Sequence, residues 1–300
     1  MKRLMLVLVL CALAAATATA AAKKDVKMPT EAEIARIRAA APDKPPAEPK
    51  KPRRLLVWGH VWTHPPNPYC DEAMKILGEK TGAWQATISD DPADLLVESL
   101  GGYDALMMNN IHEQNPFLPE GFGNLPKPKQ DEARARDAAV KESILAFVRG
   151  GKGIAGIHAA TAALQKWPEY GEMMGGYYGG HIMQDVAVKL DDPGHPVNAC
   201  FGGKGFTIFE EPYISRDPYS RKRLHVLLSL DLERMKDPGK RPDKDYAVSW
   251  VRRYGKGRVF YCTLGHCAQT YWNPMYLRHV LAGVQFVMGD LEADAEPSEP

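Results

Sequence analysis

Apolar residues fall in short blocks along the first half of the chain. Arg54–Trp58 (RLLVW) is a continuous apolar run, which fits a strand buried on both faces of a parallel sheet, and Trp84–Ile88, Tyr103–Met108 (YDALMM) and Ile154–Ile157 are further short strands. Between them lie stretches with helical spacing. Asp71–Lys80 places Ala73, Ile76 and Leu77 on one face, and Asp90-Asp91-Pro92 opens a helix through Leu100. Asp131–Arg149 has the clearest period, with Ala135, Ala139, Ile144, Phe147 and Val148 in register and Gly150-Gly151 closing it. This alternation predicts an α/β fold: a mainly parallel sheet, right-handed crossovers and helices on both faces. Asn115–Gln130, rich in Pro, Gly and Phe, is expected as a long loop.

The second half is patterned differently. Asp185–Leu190, Phe206–Phe209, His225–Leu230 and Tyr246–Val251 are short β-rich segments separated by turn residues, and are expected as added strands near a sheet edge. Arg258–Leu264 (RVFYCTL) is a further core strand and Pro274–Met288 a closing helix. The acidic tail Asp290–Pro300 is expected to be disordered.

The N-terminus adds an address. Met1-Lys2-Arg3, the apolar run Leu4–Ala16 and Ala-x-Ala triplets near Ala20–Ala22 read as a secretory signal peptide over residues 1–22, so the chain is expected to be exported, to the periplasm or beyond. No later segment is long enough to span a membrane. Lys23–Arg53, with Pro45, Pro46, Pro49 and Pro52 among Lys, Glu and Ala, is expected as a solvated linker, with a short helix near Thr30–Ala39 capped by Thr30 and Glu33. The folded domain is then 54–289. A net charge of +1 gives no electrostatic case for nucleic acid. Cys70, Cys200, Cys262 and Cys267 leave both one bridge and free thiols open.

Candidate chemistry concentrates where strands end. His60, His112, His158 and His266 each follow an apolar run by a few residues, and in a parallel sheet such ends share one edge. Imidazole there suits acid, base or metal-ligand roles near neutral pH. His181 follows the glycine-rich Gly175-Gly176-Tyr177-Tyr178-Gly179-Gly180, and Glu210-Glu211-Pro212-Tyr213 supplies carboxylates and a phenol. Gly-x-Ser-x-Gly, a Walker loop and His-Glu-x-x-His are absent.

The segments GKGIAGIHAAT, WPEYGEMMGGYYGGH, HPV, EEPY and YGKGRVFYCTLGH, in this order, resemble the trehalose-utilisation ThuA-like family from about Arg54 to Gly289. The resemblance implies a flavodoxin-like fold similar to class I glutamine amidotransferases. In those enzymes the elbow after the equivalent strand carries a cysteine nucleophile; here it carries His158, which argues against amidotransfer. The resemblance implies instead the handling of disaccharides or 3-keto sugars, with His158, His181, Glu211, Tyr213 and His266 as matching positions. Where the family often has Asp-Glu-Trp-Tyr, this chain has Glu210-Glu211-Pro212-Tyr213, so stacking against a sugar falls to Trp62, Trp167, Tyr177 or Trp272.

On this basis the chain is expected to be an isomerase, lyase or hydrolase of a small carbohydrate. His158, His181 and Glu211 would ligate a divalent metal (zinc, manganese or iron), and His158, His266 and Glu211 would carry the chemistry, with His266 as acid or base. His60, His112, Tyr177, Gly180 and Tyr213 would contact substrate. The competing expectation is a non-catalytic carbohydrate-binding or accessory protein on the same fold.

Overall fold

The computed structural model describes residues 26–60 and 62–299; the expected signal peptide lies outside them. A nine-stranded sheet carries the fold. Its parallel half consists of β1 (Arg54–Trp58), β2 (Gln85–Ser89), β3 (Ala105–Asn109) and β4 (Gly153–Ile157), with β11 (Gly257–Cys262) beside β4. The antiparallel half continues through β10 (Ala247–Tyr254), β9 (His225–Leu230), β6 (Gln184–Leu190) and β7 (Phe206–Glu210), giving the order β2-β1-β3-β4-β11-β10-β9-β6-β7.

The continuous apolar runs divide between two cores by the period of two that a strand imposes. Leu55 and Val57 pack with Ala73, Ile76 and Leu77 of α2 (Asn67–Thr81) and with Leu277, Val280 and Leu281 of α6 (Pro274–Met288). Leu56 and Trp58 pack on the other side with Val140, Ile144 and Val148 of α4 (Lys127–Arg149) and with Tyr170, Met173 and Met174 of α5 (Pro168–Met174). Helices thus cover both faces, and the chain has the flavodoxin-like α/β fold. Among the described residues no helix is long and apolar enough to cross a membrane.

The parallel strands end level with one another: Trp58 lies opposite Met108, Asn109 opposite Ile157, and Ile157 opposite Cys262. That common edge is where the strand-end histidines emerge.

Three expectations change. Residues 23–53 are not a solvated linker where they are described. Thr30 and Glu33 form the expected capping box on α1 (Glu31–Ala40), and Ile37 is fully buried in the core. The proline-rich stretch beyond it lies along α6: Gln285 accepts from the Ala47 N–H at 3.1 Å and donates to its carbonyl at 2.6 Å, and Lys50 N–H donates to Asp290 at 2.9 Å. Proline lowers the number of backbone donors to be satisfied, so two side chains suffice to dock the segment. The tail is likewise ordered through residue 299. Leu291, Ala293 and Ala295 pack against the core, Val226 N–H donates to Ser298 Oγ at 2.8 Å, and Ser298 N–H donates to Leu224 at 2.9 Å. The apolar alternation of these three positions was masked by the acids between them.

The glycine-rich segment is β5 (Tyr177–His181), paired with β8 (Tyr213–Arg216) in a two-stranded sheet. Asp90–Leu100 forms a 3-10 turn (Pro92–Leu95) and a single helical turn, α3 (Val97–Leu100), instead of one helix. Among the described residues Cys70, Cys200, Cys262 and Cys267 are free thiols.

Candidate active site

His64, His158, Glu211 and His266 come from the loops after β1, β4, β7 and β11, and one ligand atom from each lies within 4.8 Å of all the others. His158 is fully buried at the elbow after β4 with φ of +44°. For a residue with a Cβ this conformation costs on the order of 1–3 kcal/mol and persists only where the surroundings enforce it. Here Nδ1–H of His158 donates to the Thr263 carbonyl at 2.7 Å, Tyr261 donates to the His158 carbonyl at 2.5 Å, and the Tyr213 ring lies 4.0 Å from the imidazole. With Nδ1 committed as a donor, Nε2 presents its lone pair to the cluster.

That lone pair faces other acceptors. His158 Nε2 is 3.3 Å from Glu211 Oε2 and 3.2 Å from His266 Nδ1, which is itself 3.2 Å from the same Glu211 oxygen. Lone pairs so placed repel unless a cation lies among them. A proton on His266 is one such cation: burial opposes it, but Glu211 and Glu210 outweigh burial and raise the His266 pKa. Burial similarly pushes the Glu211 carboxyl upward, yet the adjacent His158 and His266 imidazoles hold it well below the usual carboxylate range. His64 stays neutral, its pKa pushed down to about 2 by burial and then by His158, His266 and His112. Its buried Nδ1 has no hydrogen-bond partner. Three imidazoles and one carboxylate, with an orphaned nitrogen among them, fit zinc, manganese or iron(II).

The turn that carries His266 is fixed by the neighbour of Glu211. Glu210 is fully buried and accepts from five donors: the backbone N–H groups of Glu211, Gly265, His266 and Cys267, and the Thr270 hydroxyl. Gly265 has φ of +120°, and a Cβ there would stand 2.8–2.9 Å from Ile157, Tyr271 and Tyr276, so the turn admits only glycine.

His181 stands outside the four-donor group, with its side chain 46% exposed and Nε2 3.5 Å from the other Glu211 oxygen, Oε1. Tyr178 lies 2.7 Å from His181 Nδ1. Burial and Glu211 raise the Tyr178 pKa, so its hydroxyl is the donor to Nδ1, leaving Nε2–H directed at Glu211. Gly180, with φ of +153°, carries the register shift that brings His181 opposite Tyr213.

His158, Glu211, His266 and Tyr213 therefore converge as expected. His112 reaches the edge of the group, its ring 6.0 Å from that of His64. His60 faces an adjoining cleft, with Nδ1 2.7 Å from Glu113. Tyr177 is buried away from the group: its hydroxyl donates to the carbonyls of Leu164 and Trp167 and accepts from Gly171 N–H, so it ties down α5. Sequence reasoning assigned no role to His64 or Tyr178, and offered Glu210 only as one of two adjacent carboxylates. The available signal for His64 was its place four residues after His60 in a proline-rich loop on the same sheet edge.

The profile of the ThuA family, described as trehalose utilisation, matches residues 54–287. A ThuA-like protein from Bacteroides uniformis superposes with a TM-score of 0.58 at 21% identity, covering 80% of this chain and 93% of that one. A ThuA-like protein from Parabacteroides merdae gives 0.54 at 16% identity over 83% and 96%, and a cytoplasmic protein from Salmonella typhimurium gives 0.52 at 14% over 78% and 98%. These likenesses establish the fold. No curated protein matches the chain. With the profile spanning the sheet and every strand-end histidine, the chain belongs to the ThuA family.

Proposed function

We propose that the protein is an exported enzyme that acts on a disaccharide or 3-keto sugar by metal-assisted acid–base chemistry. The observation that carries this reading is the convergence of His158 Nε2, Glu211, His266 and the orphaned His64 into one donor group. Export rests on the N-terminal sequence, and the sugar class on family membership.

His64, His158, Glu211 and His266 would hold the divalent ion, which when bound polarises a substrate oxygen. The Thr263 carbonyl fixes the His158 tautomer, and Glu210 fixes the turn that carries His266. This leaves His266 occupied, and the acid–base role passes to His181. That residue is half-exposed, borders the donor group, and has Tyr178 on its other nitrogen. His181 can move a proton at Nε2 while Tyr178 and Glu211 hold the ring in place. Tyr213 packs over His158 and excludes water from the buried side.

The test is turnover of trehalose, maltose and their 3-keto derivatives by protein supplied with zinc, manganese or iron(II). Metal-dependent turnover that is lost in His181→Asn with metal content retained supports the reading. Sugar binding without turnover under every metal would instead make this a binding protein.

A further inference from the structure

A cleft of about 980 Å³ lies beside the donor group and shares none of its four residues. Both segments that form its near wall also run into the group. His60 and Trp62 precede His64 on the loop after β1, and Glu113 follows His112 on the loop after β3. Pro116, Phe117 and Phe122 add apolar lining.

We infer that this cleft is a distal subsite, taking the second pyranose ring of a disaccharide whose first ring lies at the donor group; this rests on the sugar-processing reading above. Its volume is at the upper end of the ~300–1,000 Å³ typical of small-molecule sites, which leaves room beyond a single ring. The two lining cations are already paired, Lys129 with Glu132 at 2.6 Å and Arg136 with the neighbouring Asp91 at 3.2 Å, while the lining carboxylates Glu113 and Glu120 take no part in those pairs. A phosphorylated ligand therefore finds no unpaired cation there, whereas a polyol can donate its hydroxyls to the carboxylates.

Glu113 supplies the hydrogen-bonding position. Its Oε1 is held 2.7 Å from His60 Nδ1, while its buried Oε2 has no partner. A buried carboxylate oxygen without a donor is costly, and a sugar hydroxyl supplies that donor. Trp62 is stacked on His60 at 4.7 Å with ring planes 9° apart, so an aromatic ring is fixed beside this acceptor for the C–H face of a pyranose. Trp167 and Trp272, the other tryptophans expected to stack on sugar, pack on Tyr170 and Tyr69 instead.

The experiment is calorimetric titration of the metal-loaded full chain with trehalose, maltose, cellobiose and glucose, for the wild type, Glu113→Gln, Trp62→Ala and Phe122→Ala. Thermal denaturation checks that each variant folds. The expected result is tighter binding of at least one disaccharide than of glucose, with that preference reduced about 10–100-fold in Glu113→Gln and lowered in the aromatic variants. Preference unchanged in all three variants overturns the subsite and leaves the sugar reading intact. Failure of the wild type to bind any of the four sugars overturns both.

Discussion

Two histidine-rich regions of this molecule look alike in composition and differ in how their nitrogens are used. In the region formed by His195, His225 and the C-terminal tail, the ring nitrogens are satisfied. His195 contacts the Asp294 carbonyl at 2.9 Å and accepts from Val197 N–H at 3.2 Å; His225 contacts the Glu296 carbonyl at 2.8 Å and Asp192 at 3.0 Å. Nearby His279 is similarly held between the Val197 carbonyl and Ser249. At the sheet edge, by contrast, His158 Nε2, His266 Nδ1 and Glu211 Oε2 face one another, and His64 Nδ1 has no hydrogen-bond partner. The lesson is that a site is marked by uncommitted lone pairs and not by the number of histidines. The adjacent carboxylates repeat it: Glu210 is saturated by five donors and positions a turn, while Glu211 is left to the imidazoles.

Substitutions that separate the two regions should follow this division. The largest effect is expected from Glu211→Ala or His158→Ala, which should abolish stoichiometric metal binding and turnover while the chain stays folded, as read by elemental analysis and circular dichroism. His181→Asn should keep the metal and lower kcat by roughly 10²–10⁴-fold, the usual contribution of a positioned acid or base, in steady-state kinetics. Glu210→Gln leaves several buried N–H groups facing an amide; at about 1–3 kcal/mol for an unsatisfied buried group, denaturant unfolding should show a loss of at least that size.

The satisfied region should instead respond to acid. Burial lowers the His279 pKa to about 4 and lowers that of His195 as well. The unfolded chain therefore binds protons more readily than the folded one below the ordinary histidine pKa. The His279 contribution is complete above pH ~6.5 and declines as pH falls toward its folded value of about 4. The shift from 6.5 to about 4 corresponds to about 3 kcal/mol, measurable by urea unfolding at pH 7 and pH 4, and His279→Gln should flatten the dependence. His225→Ala is the smallest change. It should cost roughly 1–2 kcal/mol for the lost contacts with the Glu296 carbonyl and Asp192 and leave metal content untouched.

Much of the architecture could be read from the chain because it is governed by local periodicity. Short apolar runs located the parallel strands, the spacing of Ile144, Phe147 and Val148 located α4 although Ala135 and Ala139 of the expected face are exposed, and Pro274–Met288 was recovered with its observed ends. His158, Glu211 and His266 were legible because strand ends and family motifs point to the same edge. What could not be read depends on contacts between distant segments. Gln285 docking Ala47, and Ser298 meeting β9, leave no local period. Tyr177 and Tyr178 are adjacent and both aromatic, yet strand alternation sends one hydroxyl to the backbone of α5 and the other to His181. His64 was hidden because a loop histidine becomes a ligand candidate only when three other loops meet it.

The most direct measurement is the metal content of the purified chain after equilibration with zinc or manganese and removal of excess, comparing wild type, Glu211→Ala and His225→Ala. One divalent ion per chain is expected in the wild type and in His225→Ala, and none in Glu211→Ala. A wild-type chain that retains no ion, or a Glu211→Ala chain that retains as much as wild type, would contradict the metal-site assignment.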